Sequence, residues 1–463
     1  MRPGRYFQFN IESAARGLAP LGARIALIGA MSSAGTAPVL SPRQIFSDAD
    51  ADAFFGRGSE LALMCRWALM ATRRYGKAPQ IWAVAVAAPA GDARVVALQV
   101  AGAADEGGNI EVRIAGRRIR AGVSRGEVAA DAALALTDAI GARAADLPVT
   151  AATVGSSAVC THVTAGVNGN DVRYEAIGAP VGMTVSVVPG AAGTGEASLT
   201  AALDVLVDKD YDVVVSANHA TQDIDAFADH LAEMWATQNK RWRFSLIAET
   251  GTLAIATVLA TQADDFKQMV VSCEGFRNTP AEIAAYVGAI IAAEDDPALP
   301  FNGVELPDLY LADADDLPSG LEMDAGIAGG LFFLGANARG TRAAIVRATT
   351  TKTTHNGVTF LALLDATIPR SLVYLARQID IAQALAFPRA KRNKRTRKAL
   401  RAVTLDTMRK VEDLEIVQSV DEHADQLVVE TDAVDSTMLV QAIPASVVPP
   451  LNKIMNVFNL LLE

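Results

Sequence analysis

The chain has 463 residues, is 51 % apolar but only 6 % aromatic, and carries a net charge of −11. It is too long for one typical domain and apolar enough to bury a large core. It is too acidic for general nucleic-acid binding, which needs an extended basic surface. Cys65, Cys160 and Cys273 lie far apart with no CxxC spacing. Neither a disulfide framework nor a zinc site follows; three reduced packing thiols are expected, with an inter-chain disulfide as the minor alternative. No apolar h-region follows the first residues and no window reaches the ~18 uninterrupted apolar residues of a membrane span, so a soluble protein without membrane insertion is expected.

From the start of the chain, Tyr6, Phe7, Phe9 and Ile11 follow Pro3-Gly4, and the last three alternate with Gln8 and Asn10 at the period of a strand. Residues 1–23 hold little that could pack alone and read as an extended arm. Arg24–Gly29 is a short apolar run ending in glycine, the pattern of a buried central strand. Ser41-Pro42 predicts a short helix. Asp48, Asp50 and Asp52 favour a helix N-terminus and lack the glycine and terminal Glu of a calcium loop. Ser59 can cap a helix from Glu60 to about Tyr75, and Ile81–Ala87 is a second buried strand.

Composition changes at Pro89. Short strands are predicted at Arg94–Val100, Asn109–Ile114, Arg117–Val123, Ala158–Val163, Asp171–Glu175 and Met183–Val188, with one helix from about Glu127 to Gly141. Residues 89–197 therefore read as a mostly-β insertion. From 198 an α/β alternation resumes: helix Leu199–Val207, strand Tyr211–Ser216, helix Thr221–Trp235, strand Trp242–Ala248, helix Gly251–Thr261 and strand Gln268–Ser272. Thr279-Pro280-Ala281-Glu282 is a capping box with proline at the first helical position, opening a helix to about Ala293. A loop spans Pro297–Pro307, a helix Leu321–Gly329, and a strand Ala343–Arg347. The fold class predicted is α/β: a discontinuous core over 24–88 and 198–445, the insertion at 89–197, and extended terminal arms at 1–23 and 446–463.

Asn356-Gly357 sits between Arg347–Thr354 and Val358–Leu364 and predicts a hairpin turn. Thr367, with Pro369 after it, opens a helix whose apolar face is Leu372, Val373, Leu375, Ala376, Ile379 and Leu385. Then come Arg389, Lys391, Arg392, Lys394, Arg395, Arg397, Lys398 and Arg401 with no acid among them, so the rest of the chain sums to −19. The block runs into Leu400, Val403, Leu405, Met408 and Val411 at helical spacing, which predicts a folded helix with a basic face, Lys391, Lys394, Arg395 and Lys398 together, rather than a solvated charge run. One basic patch on an acidic body implies an acidic protein partner or self-association. Strands are predicted at Glu415–Val420, Gln426–Glu430 and Thr437–Ala442. Pro449-Pro450 separates the apolar end, which includes Ile454, Val457, Phe458, Leu460 and Leu461.

No catalytic constellation appears. Gly190-Ala-Ala-Gly193-Thr-Gly195 has the wrong glycine order for a dinucleotide loop and no following Lys-Ser/Thr, so it reads as the return linker of the insertion. His162, His219, His230, His355 and His423 form no metal spacing, and Asp229 beside His230 reads as two separately solvated side chains. No cofactor is implied and no enzyme is expected.

Four places carry a resemblance. Pro3-Gly4-Arg5-Tyr6, Phe54-Phe55-Gly56-Arg57-Gly58-Ser59 with Leu61, Asp146–Ala151, and Ala344–Thr350 with Leu363-Leu364-Asp365 and Tyr374-Leu375 resemble segments of contractile phage tail sheath proteins, in particular the Mu-like myophage group. The resemblance implies a subunit that polymerises helically, as stacked hexameric rings, around an inner tail tube and contracts to drive it through the host envelope. It implies arms that add strands to neighbouring copies: Tyr6, Phe7, Phe9 and Ile11 at one end, Ile454, Val457, Phe458, Leu460 and Leu461 at the other. It implies a basic helix, Arg389, Lys391, Arg392, Lys394, Arg395, Arg397 and Lys398, that grips an acidic surface of the tube. It further implies baseplate and tail terminator partners, no direct nucleic acid, no cofactor, and a place in the virion tail after assembly in the host cytoplasm. A sheath of a bacteriocin-type contractile particle, a tube or baseplate subunit, and an α/β enzyme are the alternatives.

Overall fold

The computed structural model describes residues 23–311 and 313–458. Tyr6, Phe7, Phe9, Ile11, Leu460 and Leu461, and with them the N-terminal arm, lie outside the described residues. In chain order the fold opens with β1 (Arg24–Ala30), β2 (Arg43–Ile45), α1 (Asp48–Phe55), α2 (Glu60–Tyr75) and β3 (Gln80–Val86). The insertion follows as β4 (Val95–Gly102), β5 (Gly108–Ile114), β6 (Arg117–Val123), α3 (Ala129–Gly141), β7 (Val149–Val154), β8 (Ser157–His162), β9 (Tyr174–Gly178) and β10 (Met183–Pro189). The chain returns through α4 (Thr200–Asp204), β11 (Val213–Ser216), α5 (Thr221–Met234), β12 (Phe244–Glu249), α6 (Leu253–Ala263), β13 (Gln268–Ser272) and α7 (Pro280–Ala293). Next come β14 (Glu305–Leu306), α8 (Gly320–Ala328), β15 (Phe332–Ala336), β16 (Ala343–Arg347), β17 (Thr354–His355) and β18 (Val358–Thr359). It ends with α9 (Thr367–Ala386), α10 (Lys394–Glu412), β19 (Val428–Thr431) and β20 (Leu439–Ala442).

Nine strands form one sheet in the order β14-β16-β15-β13-β12-β11-β1-β3-β2. β1, β3, β11, β12, β13 and β15 run parallel, and β2 and β16 pair antiparallel with their neighbours. The central strands read as near-continuous Val, Ile, Leu and Ala because helices cover both faces. Two helices on one face show how local signals and packing agree. In α2 the Ser59 hydroxyl accepts from the Ala62 N–H, and Gly76, at φ 75°, ends the helix in the left-handed conformation. In α7 the capping box forms as predicted, and all fourteen residues are buried, as expected of a helix that is apolar all round. Gly288 lets α7 approach the sheet, since a Cβ there would meet Val215 Cγ2 at 2.6 Å.

The insertion has two antiparallel sheets, β10-β4-β8-β7 and β6-β5-β9, packed with α3 around Leu98, Val112, Ile119, Leu136, Ile140 and Cys160. Its outgoing and returning segments are hydrogen-bonded to each other: Val95 N–H to the Ala191 carbonyl, Gly190 N–H to that of Val95, and Thr194 N–H to that of Asp92. The glycine-rich run is thus a packed stem. Gly91 allows the close approach, because a Cβ there would lie 2.0 Å from the Thr194 carbonyl oxygen of the returning segment, and Gly193 likewise admits the Gly166 carbonyl, 2.1 Å from where its Cβ would be.

The described residues fall into two compact units. The larger runs through Asp295, resumes from Leu299 to Pro369 and takes in the chain from Pro450; it contains the nine-stranded sheet and the insertion. The smaller holds Asp296–Ala298 and Arg370–Pro449. Within it, most of α9 and the whole of α10 make a helical hairpin whose core is Leu375, Ile379, Met408, Val411, Ile416, Val417 and Val420.

Several predicted elements differ. Ser41–Ile45 is no helix: β2 pairs with β3, and the helix cap is Ser47, one element later. Asp171–Glu175 splits into a 3-10 turn, Val167–Asp171, and β9. β7 went unpredicted although four of its six residues are Val or Thr, because Ala151-Ala152 interrupts the run at its centre. Glu415–Val420 makes a single bridge, Val417 to Val447. The hairpin turn forms at Asn356-Gly357, at φ 52° and 77°, but its strands are two residues long. His230 is buried against Arg243 rather than solvated, and burial with that cation pushes its pKa down to about 4.

The insertion is joined to the sheet layer by a buried ion pair. Arg117 of β6 donates from Nη2 to Glu282 Oε1 at 2.7 Å and from Nη1 to Oε2 at 3.0 Å, with only 4 % and 1 % of the two side chains exposed. Arg117→Ala strands the Glu282 carboxylate, and breaking such a pair from one side costs about 3–5 kcal/mol. Urea unfolding followed by circular dichroism should show a loss of that order. Adding Glu282→Leu should recover part of it.

Candidate functional site

Strand order reverses between β1 and β11, since the chain proceeds from β1 to β3 on one side and later from β11 to β12 on the other. Beyond the carboxyl ends of strands at such a switch point, open α/β sheets form a crevice that commonly takes a ligand. Here the insertion's 3-10 turn, Val167–Asp171, reaches that place. Glu60, in the first turn of α2, accepts from the Ala30 N–H at 3.0 Å and from Asn168 Nδ2 at 2.7 Å. Asn168 also donates to Asn218 Oδ1 at 3.1 Å, and Asn218 Nδ2 donates to the Ala197 carbonyl at 2.7 Å. Asp223, nearby, caps Ala220, and burial pushes its pKa up to about 6.

His219, just past β11, lies between two carboxylates: Nε2 is 3.1 Å from Asp171 of the insertion and Nδ1 is 3.0 Å from Glu249 at the end of β12. Burial alone would push its pKa down, but hydrogen bonds to Asp171 and Glu249, with their charges, raise it to about 10. Glu249 is held below its usual value, because its bonds to His219 and to the Gly251 N–H outweigh its desolvation. His219 is therefore an imidazolium with both N–H groups engaged and no lone pair to act as a base. Among the described residues no group of three or more His, Cys, Asp or Glu is arranged to hold a metal ion. All three cysteines are buried free thiols, and burial pushes each pKa up, that of Cys160 to about 12. The crevice is a polar joint between insertion and sheet. Fixed-spacing motifs could not reveal it, since Asp171 and Glu249 lie 48 and 30 residues from His219.

The basic block stands at the tip of the helical hairpin. Arg389, Lys391 and Arg392 are in the loop and Lys394, Arg395, Arg397 and Lys398 in the first turns of α10. Lys391 is therefore not on the helical face predicted for it; Asn393 stops the helix there, its side chain accepting from the Thr396 N–H at 2.8 Å. Arg389, Lys391, Arg392, Lys394, Arg395 and Lys398 are exposed, and none of them forms an ion pair among the described residues. Arg397 is half-buried, and Arg401 turns inward to donate to the Leu427 carbonyl at 2.9 Å and to that of Ala424. Cations in the first turn oppose the helix dipole, and no acid is there to offset them. Leu385, predicted on the buried face of α9, is 79 % exposed, because it lies past Ile379, beyond the end of the hairpin core.

In the larger unit, Asn452 donates to the Asp365 carboxylate at 3.3 Å and accepts from Asn302 at 2.6 Å. After it, Ile454, Met455, Val457 and Phe458 have no regular secondary structure and are 69–93 % exposed.

Residues 362–460 match the family described as Phage tail sheath C-terminal domain. The chain is 23 % identical over 326 residues to the Mu-like prophage FluMu tail sheath protein of Haemophilus influenzae, a match that covers 68 % of this chain and 66 % of that protein, just under two thirds of its length. Its fold is similar to that of a sheath tail protein from Listeria innocua, with TM-score 0.55, 13 % identity and 94 % of each chain covered. It is also similar to a sheath tail protein from Desulfitobacterium hafniense, with TM-score 0.52, 12 % identity and 96 % and 100 % covered. A chain of the anti-feeding prophage baseplate gives TM-score 0.51 at 9 % identity, with 99 % of each covered.

The His219 joint has a pH signature. Its folded pKa lies above the unfolded value of about 6.5. Its stabilising contribution is therefore complete below that value, declines as pH rises, and is gone above about 10. His219→Gln should be less stable than the parent at pH 6 and close to it at pH 10.5. Thermal melts of both proteins across that range check this, and parallel curves at all pH values would refute it.

Proposed function

We propose, from the premise that this chain belongs to the tail sheath proteins of contractile phage-like particles, that it polymerises as a helical stack of hexameric rings around an inner tube. Contraction of that stack drives the tube through the host envelope. The observation that supports this reading is that the segment matching the sheath family, residues 362–460, contains the basic hairpin tip, whose exposed cations form no ion pair among the described residues, and the exposed apolar run from Ile454 to Phe458.

In this reading the tip faces an acidic band on the tube. Exposed ion pairs are worth about 0–1 kcal/mol each and are screened by salt, so a grip made of many can be both registered and released. The terminal segments act as arms on neighbouring copies, adding backbone hydrogen bonds and apolar burial there. The division into arms at 1–23 and 446–463, a core, and an outer insertion at 89–197 belongs to the same proposal. So do the baseplate and terminator contacts and the assembly in the host cytoplasm.

Two experiments test it. Changing Lys391, Lys394, Arg395 and Lys398 to Glu should abolish assembly on tubes at low salt while tube-free polymers still form. Acid in the first turn of α10 favours the helix, so loss of the fold would not explain the result. Removing Lys453–Glu463 should leave a folded monomer that fails to polymerise, by electron microscopy and sedimentation. Sheaths of normal length from the truncated chain would refute the arm.

A further inference from the structure

The hairpin tip is not only basic. From Ile381 to Leu405 the chain has no acid, and directly before Arg389 it reads Ala384-Leu385-Ala386-Phe387-Pro388. These five residues are exposed except for Phe387, which is half-buried, and Leu385 alone is 79 % exposed. The apolar residues earlier in α9 are spent on the hairpin core, where Leu375 and Ile379 meet Met408 and Val411. Gln383 Nε2, at 3.1 Å from Thr404 Oγ1, links the two helices close to the tip. Leu385 therefore projects beyond the paired part of the hairpin, on the same tip as Arg389, Lys391, Arg392, Lys394 and Arg395.

An exposed apolar side chain on a tip that also carries exposed cations has the composition of an interface centre and its rim. Truncating an anchor in a desolvated pocket is costly, whereas rim charges mainly steer, register and exclude wrong partners. We infer that Leu385 is the apolar anchor of the tip, and that its partner is a protein surface with an apolar pocket bordered by carboxylates. This rests on the reading of the tip as the tube-binding element, and it changes what that contact is. A grip of ion pairs alone would vanish at high salt. A grip with Leu385 seated retains a salt-resistant part, so the sheath holds its register when the ionic rim is screened.

The experiment is cosedimentation of the full chain with tail tubes isolated from the same particle, at about 0.05 M and about 1 M salt, where the screening length falls from more than 10 Å to about 3 Å. The parent should bind at both, more weakly at high salt. Leu385→Ser should bind about tenfold or more weaker at both, the worth of one buried leucine side chain, and Leu385→Met should restore binding. Since Leu385 is exposed, circular dichroism should not change. The change of Lys391, Lys394, Arg395 and Lys398 to Glu should abolish low-salt binding. Leu385→Ser binding like the parent at both salts overturns the anchor and leaves the basic grip standing. An unaffected charge-reversed variant overturns the grip itself. Leu385-dependent binding to anionic lipid vesicles instead of tubes overturns the assignment to a protein partner.

Discussion

One carboxylate holds two levels of this fold together. Glu282 accepts from the Thr279 N–H and from Asn278, which starts α7, and it accepts both arms of the Arg117 guanidinium, which docks the insertion. α7 is the apolar helix laid against the centre of the sheet, and its N-terminus would otherwise present unpaired N–H groups in a dry place. A buried Arg–Glu pair is a poor source of net stability, because desolvation offsets much of the attraction. Its effect is on specificity: an insertion seated anywhere else leaves a buried charge at the start of the central helix. The Arg66 bonds to Asp52 and Asp146, the Arg277 bonds to Glu175 and Asp313, and the His219 joint work in the same direction with lesser burial.

That arrangement explains why a doubly wound sheet here does structural work. The groups that in such a sheet could meet a ligand are met by the chain itself: Asn168 takes one oxygen of Glu60, and Asp171 takes one side of His219. Each bond spans a large sequence separation, so the crevice stores the placement of the insertion.

How much of this was legible in the sequence depended on whether the physics was local. Ser59, Thr279-Pro280-Ala281-Glu282 and Asn356-Gly357 gave their cap, capping box and turn where expected, because each acts within four residues. Strands buried on both faces were plain from their apolar runs. Ser41–Ile45 misled because Ser-Pro also precedes edge strands, and only the pairing with β3 decides between them. β7 was silent because Ala151-Ala152 interrupts its run of Val and Thr, and the pairing with β8 that completes it is not a local signal. The basic block was evident as composition, yet its division between loop and helix turned on one residue, Asn393. The crevice was invisible: no local pattern links Glu60 to Asn168 or His219 to Asp171.

What the chain leaves unsatisfied also follows a rule. Arg117 and Glu282 are buried as a pair, whereas the tip keeps its cations exposed at the helix end where the dipole disfavours them, and keeps a leucine in water beside them. Each of these features costs stability in the isolated chain. Such costs are removable by a partner that supplies negative charge and an apolar surface together, and a partner lacking either would leave one of them in place. The same reasoning applies to the run from Ile454 to Phe458, whose exposed side chains carry no charge and need only apolar cover and backbone pairing. The two surfaces are thus chemically distinct: one would be satisfied by negative charge and apolar surface together, the other by apolar cover and backbone pairing. In the proposed assembly that separation keeps the two contacts apart, because a tail with the charge of the tip would be drawn to the same partner.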